Sequence, residues 1–173
     1  NIRETDGVLP QYVIRQISEA TGGKAIIVTG VGQHQMWAAQ HFCYSEINSL
    51  VSSGGLGAMG FEVPAAIGAA IGRPDLPVWS VAGDGGFQMT MYEIATMMEN
   101  NIPVKIAILN NNYLGMVRQL QDLFHEKTYI AVKYTHNPDF VAIAKAYGLE
   151  AMQVSKRAQV RPAINAALNF PGP

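Results

Sequence analysis

Apolar and polar positions along the chain follow two alternating periods. Val8 to Ala20 (VLPQYVIRQISEA) repeats its apolar residues at helical spacing up to Gly22-Gly23, which predicts a helix with a glycine stop. Lys24 to Thr29 (KAIIVT) is a short β-branched run closed by Gly30 and predicts a strand. A second helix is expected from His34 to Phe42, then a weaker strand over Asn48 to Ser52 leading into Gly54-Gly55-Leu56-Gly57. Phe61 to Gly72 (FEVPAAIGAAIG) reads as a helix of small residues, suited to close packing on a sheet. Pro77 to Ala82 (PVWSVA) predicts a strand, Gly83 to Gly86 a turn, and Phe87 to Glu99 a helix. Val104 to Leu109 (VKIAIL) is the clearest buried parallel strand, apolar on both faces apart from Lys105. Helices follow at about Met116 to Phe124, Asp139 to Tyr147 and Val160 to Leu168, with a strand near Glu150 to Val154.

This alternation predicts an α/β fold: a doubly wound, mostly parallel sheet with helices on both faces and right-handed crossovers. The 173 residues form a single domain with one sizeable core and no repeat or internal linker. The last helix runs into Asn169-Phe-Pro-Gly-Pro173, a pattern that usually leads into another strand. The domain is therefore expected to be a fragment of a larger multidomain enzyme. Composition agrees, because only 14% of residues are charged and 49% are apolar, where about 25% charged is usual. Neighbouring domains or subunits are expected to cover the surplus apolar surface.

Charge is balanced, with 12 Lys+Arg against 13 Asp+Glu, and no basic stripe is available for a nucleic-acid backbone. No apolar run reaches the roughly 20 residues needed to span a bilayer, and Asn1-Ile-Arg-Glu-Thr lacks the layout of a signal peptide. Cys43 is the one cysteine, expected to be a buried, inert thiol in a reducing compartment. A cytoplasmic location is the default expectation.

The candidate chemistry lies at two predicted strand ends, where open parallel sheets bind ligands. One is Val81-Ala82-Gly83-Asp84-Gly85, the other Ile108-Leu109-Asn110-Asn111-Asn112. Twenty-four residues, Gly86 to Leu109, separate them: one helix and one strand, which brings both ends to the same sheet edge. Asp84 offers an anionic oxygen and Asn111 a neutral one, and magnesium takes oxygen ligands, typically one or two carboxylates plus phosphate oxygens. The glycines around Asp84 allow close approach of a bulky anion, and the helix expected to begin near Phe87 favours a phosphate at its start. Alone, Gly-Asp-Gly is usually a tight turn and Asn-Asn-Asn a polar loop. Together at strand ends they favour a metal–diphosphate site.

Gly83-Asp84-Gly85 followed one β-α-β step later by Asn110-Asn111 resembles the signature of thiamine-diphosphate enzymes. The resemblance implies a magnesium ion held by Asp84, Asn111 and the backbone carbonyl of Tyr113. Val31 to Gln40 (VGQHQMWAAQ), Ser53 to Gly60 (SGGLGAMG), Pro64 to Gly68 and Leu109 to Gln119 (LNNNYLGMVRQ) are similar to stretches of acetohydroxyacid synthase (acetolactate synthase) catalytic subunits. The likeness runs from about Leu9 to Asn169. It implies that Gln33 and His34 donate to the diphosphate, and that the Gly57 carbonyl accepts from the aminopyrimidine. Met59 would lie beneath the cofactor and hold it bent. Gly83, Gly85 and Gly86, with Leu114, Gly115 and Met116, complete the implied binding set. Met89 is a further candidate to approach the cofactor, whereas Met91, Ile94 and Met98 share a helical face suited to packing. His125 and His136 have no partner at metal-ligand spacing and are expected to be surface or loop histidines.

The implied activity decarboxylates pyruvate and passes the two-carbon unit to a second 2-oxo acid, as in branched-chain amino-acid biosynthesis. In this family a glutamate on a separate pyrimidine-binding domain activates the cofactor. Glu46, Glu62, Glu93 and Glu99 lie in the wrong contexts for that role, so no catalytic residue is assigned here and the isolated fragment is expected to be inactive. A homodimer or larger parent assembly is implied, with a regulatory subunit as a further candidate partner. One departure concerns Leu120, which stands where many acetohydroxyacid synthases carry a tryptophan favouring 2-oxobutyrate. That leaves the acceptor open. A glyoxylate carboligase-like or other thiamine-diphosphate 2-oxo acid decarboxylase or carboligase is the alternative enzyme, and a non-catalytic cofactor-binding or assembly module the alternative of another class.

Overall fold

The computed structural model describes residues 2–173. Among them, β1 (Ile26–Thr29), β2 (Leu50–Ser52), β3 (Val78–Gly83) and β4 (Val104–Leu109) form one all-parallel sheet in the order β2-β1-β3-β4. The helices are α1 (Pro10–Thr21), α2 (Gln33–His41), α3 (Glu62–Gly72), α4 (Asp84–Thr90), α5 (Ile94–Glu99), α6 (Gly115–Phe124), α7 (Phe140–Ala146) and α8 (Arg157–Asn169). None is long and apolar enough to cross a membrane.

Successive strand residues point to opposite faces of the sheet, and the packing follows that period. Ile26, Val28, Val78 and Ala82 join Val63, Ala66, Ile94 and Met97 in one core. Ile27, Trp79 and Val81 join Ile14, Ile17, Ala38, Phe42, Val160 and Ile164 in another. The chain thus has two cores, one on each side of the sheet, instead of the single one expected; a sheet covered on both faces requires both. Ala66 and Ala70 are buried in α3, where small side chains let the helix lie close to β1 and β3. At the end of α1, Gly22 takes φ 59°, and Gly23 donates to the Ser18 carbonyl at 2.9 Å. This left-handed cap is the stop that Gly22-Gly23 predicted.

Further expectations are corrected. The helix after β3 starts at Asp84, three residues before Phe87, because Gly85 and Gly86 lie inside its first turn. It is also not continuous to Glu99: Met91–Glu93 form a 3-10 turn between α4 and α5. The break follows Thr90, whose φ is −135° and whose hydroxyl donates to the Gly60 carbonyl at 2.8 Å. No strand forms at 150–154; Val154 packs into the second core, but the segment has no ladder partner. Finally, Cys43 is exposed, because α2 ends at His41 and Phe42 takes the buried position beside it.

Exposed apolar side chains include Ile47 and Leu56 and, on and after α6, Leu123, Phe124 and Ile130, each 65% exposed or more. The order of the strands places the functional edge. From β1 the chain moves outward to β2, with α2 on one face. It then returns to the other side of β1 and proceeds from β3 to β4, with α4 and α5 on the opposite face. The direction reverses between β1 and β3, and a crevice opens beyond their carboxyl ends.

Candidate functional site

Three loops meet at this crevice. The loop after β1 contributes Val31, Gly32, Gln33 and His34; the one after β3 contributes Gly83 to Gly86; the one after β4 contributes Asn111 and Tyr113 to Met116. Met59 closes one side. Each loop feeds directly into a helix, so α2, α4 and α6 all begin here. Their unpaired first-turn amides and dipoles favour an anion. Of the residues predicted for the site, Gly57 and Leu120 stand outside the crevice lining. Gly57 is in an exposed turn at φ 70°, with its amide donating to the Ser53 carbonyl at 3.1 Å. Leu120 is half-exposed on α6. Met89 is half-exposed beside Gly60, whereas Met91 and Met98 pack on the first core, as their helical spacing predicted.

Glycines make room for the site's polar side chains. A Cβ on Gly32 would lie 2.8 Å from the His34 ring, and one on Gly83 would lie 3.1 Å from it. The imidazole therefore occupies the gap between the ends of β1 and β3. It is 6% exposed, and burial lowers its pKa to about 4, so the ring is neutral at pH 7. Its Nε2 has no partner within the protein, which leaves a buried polar atom available to a ligand.

Gln33 donates to Gln119 on α6 at 2.9 Å, with its amide oxygen against Gly115. This ties the first turn of α2 to α6. Asn111 Oδ1 accepts from the Tyr113 amide at 2.9 Å, and Asn110 Oδ1 from the Asn112 amide at 3.1 Å. Asn112 itself takes φ 59°, a left-handed conformation that asparagine tolerates well. These side-chain turns hold the β4–α6 loop in shape.

Asp84 is almost fully buried, and burial pushes its carboxyl above the usual aspartate range against the opposing hydrogen bond from Asn137. That donor stands 2.6 Å from Asp84 Oδ2. Asn137 is one of several site residues that sequence reasoning missed. Tyr134 places its hydroxyl against Gly85, and its amide donates to the Asn112 carbonyl at 2.9 Å. Gln119 and Glu62 are the others. Asn137-Pro138-Asp139 reads locally as a turn and a helix cap, and nothing in its spacing signals a contact with Asp84.

The crevice lining holds no lysine or arginine, and its one carboxylate is Asp84. An anionic ligand beside Asp84 would be repelled unless a cation lay between them. No group of three His, Cys, Asp or Glu side chains that could hold a metal exists among the described residues. One carboxylate with neutral carbonyl oxygens suits magnesium, which relies on ligand phosphates and water for its other positions. The pocket measures about 100 Å³, well below the roughly 300–1,000 Å³ typical of a small-molecule site. A cofactor of ordinary size seated here would therefore project beyond it.

Fold and site together define a doubly wound α/β domain whose crevice gathers one carboxylate, neutral polar groups and the starts of three helices. Residues 30–173 match the family described as thiamine pyrophosphate enzyme, C-terminal TPP binding domain, and the chain belongs to that family. It is 49% identical to acetolactate synthase 2, chloroplastic, of Nicotiana tabacum, over 97% of this chain and 26% of that protein. It is 47% identical to the acetolactate synthase of Mycobacterium leprae, over 95% of this chain and 27% of that protein. The chain spans about a quarter of the length of these curated relatives.

Proposed function

We propose that this chain is the diphosphate- and magnesium-binding part of an acetolactate-forming carboligase. The observation that carries this reading is the convergence of His34, Asp84 and Asn111 on one crevice where three helices begin. Asp84, Asn111 and the Tyr113 carbonyl would hold magnesium. Gln33 and neutral His34 would donate to diphosphate oxygens, and Gly83, Gly85, Gly86 and Gly115 let the backbone come close. Leu114 and Met116 flank that approach. Met59 at the rim would support the portion of the cofactor that projects, and the Gly57 carbonyl would accept from its aminopyrimidine.

Thiamine diphosphate supplies, when bound, the electron sink for carbanion chemistry on 2-oxo acids. The residues here position it and balance its charge. Glu62 is sealed at 0% exposure, and the glutamate that activates the cofactor would come from a separate domain, supplied within a homodimer or larger assembly. A regulatory subunit is a further proposed partner. The chain alone would bind without catalysing. Leu120 is the proposed acceptor-facing residue, and pyruvate the proposed donor substrate. The same reading places the protein in the cytoplasm, where its lone exposed thiol Cys43 stays reduced.

The test is product analysis with the full-length protein. Acetolactate from pyruvate, dependent on thiamine diphosphate and magnesium, is the expected result. Tartronate semialdehyde from glyoxylate, with no acetolactate from pyruvate, would overturn it.

A further inference from the structure

Asn137 lies 53 residues along the chain from Asp84, yet its side-chain amide meets that carboxylate at 2.6 Å. The same nitrogen stands 3.0 Å from Asn110 Oδ1 and 3.0 Å from Asn112 Oδ1. Its oxygen accepts from Gln88 at 3.2 Å, and Gln88 also donates to the Asp84 carbonyl at 3.0 Å. The orientation of the amide follows from its surroundings. Three acceptor oxygens converge on Nδ2, so only the donor end of the side chain fits among them.

The backbone delivers this amide from both directions. Upstream, Val132 is buried and accepts from the Leu114 amide at 2.8 Å, and Tyr134 donates to Asn112. Downstream, Pro138 disfavours a helical conformation at Asn137. Asp139 then caps α7 by accepting from the Ala142 amide at 3.0 Å. One side chain thereby bridges the loop that carries Asp84 and the loop that carries Asn111, which extend from different strands.

We propose that Asn137 is a positioning residue for the divalent-cation site, holding the Asp84 carboxylate and the Asn110–Asn112 loop on one amide. This deepens the magnesium reading and rests on it. The terminal torsion of an aspartate is broad. A charge-assisted bond to Oδ2 fixes it and leaves Oδ1 for the cation. Without the bridge, the carboxylate could turn and the two loops could separate.

The experiment uses the full-length protein with thiamine diphosphate and Mn²⁺ in place of magnesium, free Mn²⁺ being read by electron paramagnetic resonance. Asn137→Leu keeps the volume and removes the donor, whereas Asn137→Gln keeps an amide. Leu should weaken Mn²⁺ binding by roughly ten- to a hundredfold, as for loss of a hydrogen bond to a charged group. Gln should recover part of that loss, and the thermal midpoint of the metal-free protein should hardly move. Unchanged Mn²⁺ affinity in the Leu variant overturns the proposal. So does a loss that only tracks a lowered midpoint and is not recovered by Gln. Should the Leu variant fail to fold, Asn137→Ser decides: its hydroxyl is too short to join both loops, so wild-type affinity overturns the proposal and weakened affinity supports it. Absence of Mn²⁺ binding by the wild type would instead remove the magnesium reading itself, and the proposal with it.

Discussion

The carboxyl group of Glu62 fills the space that a side chain on Gly86 would need. A Cβ built on Gly86 would stand 2.5 Å from Glu62 Oε1, and one on Gly30 would stand 1.9 Å from Oε2. Glu62 thus wedges between the end of β1 and the first turn of α4, fully buried, with neither oxygen in a normal hydrogen bond. His34 occupies the matching position from the other helix layer, beside Gly32 and Gly83.

Burial pushes the Glu62 carboxyl above its ordinary value of 4.5, and the nearby amides of Glu62 and Gly60 offset only part of this. The folded state therefore holds a proton that the unfolded chain releases above pH 4.5, and stability falls as pH rises through that window. Glu62→Gln, which is neutral at every pH, should melt a few degrees higher than wild type at pH 7.5, since ~1 kcal/mol moves a domain of this size by ~2–4 °C. The gain should shrink as pH falls towards 4.5. Thermal melts across this range check it, and parallel curves for the two proteins would contradict it.

His34 gives the opposite slope. Its pKa is lowered from 6.5 to about 4 in the folded protein, so the unfolded state binds the extra proton between those values. Stability is complete above pH 6.5 and is lost as pH falls towards 4, by about 3 kcal/mol at ~1.36 kcal/mol per unit. His34→Gln should remove most of this acid-side loss in denaturant titrations at pH 4.5 and 7. Retention of the full loss would assign it to other groups.

Gly115→Ala separates the site from the fold. A Cβ there would press on Gln33 Oε1 and lie 2.9 Å from Asn111 Nδ2, the far ends of two flexible side chains whose hydrogen bonds to Gln119 and the Tyr113 amide would have to adjust. The fold should tolerate the change at a cost of no more than about 1 kcal/mol, the centre of the range for single substitutions. Two residues proposed to contact cofactor and metal are displaced, so thiamine diphosphate affinity should fall by about tenfold, equivalent to 1.4 kcal/mol. Calorimetry alongside a denaturant curve measures both, and an equal loss in the two would refute the separation.

The fold was legible in the sequence because its signals are local. The β-branched runs at Ile26–Thr29 and Val104–Leu109, the glycine stop at Gly22 and the small residues of α3 each act within a few positions. The start of α4 is not legible locally because Gly85 and Gly86 weaken helix propensity. Packing against Glu62 requires Gly86 inside the helix, and sequence cannot show that. The segment at 150–154 had strand character but no neighbouring strand to pair with. In the site, Asp84 and Asn111 could be read from their spacing, since one β-α-β unit fixes their relation. Asn137 and Glu62 could not, because each acts across the fold on a partner that no sequence period connects to it.

The proposed role of Asp84 and the loops around it is to bind a metal–diphosphate group. Calorimetric titration of thiamine diphosphate, with and without magnesium, into wild type and Asp84→Ala tests it most directly. Wild-type binding should require the cation, and the Ala variant should bind at least about tenfold more weakly, a loss of ~1.4 kcal/mol or more. Equal affinity of the two proteins, or binding by wild type that is indifferent to magnesium, would contradict it.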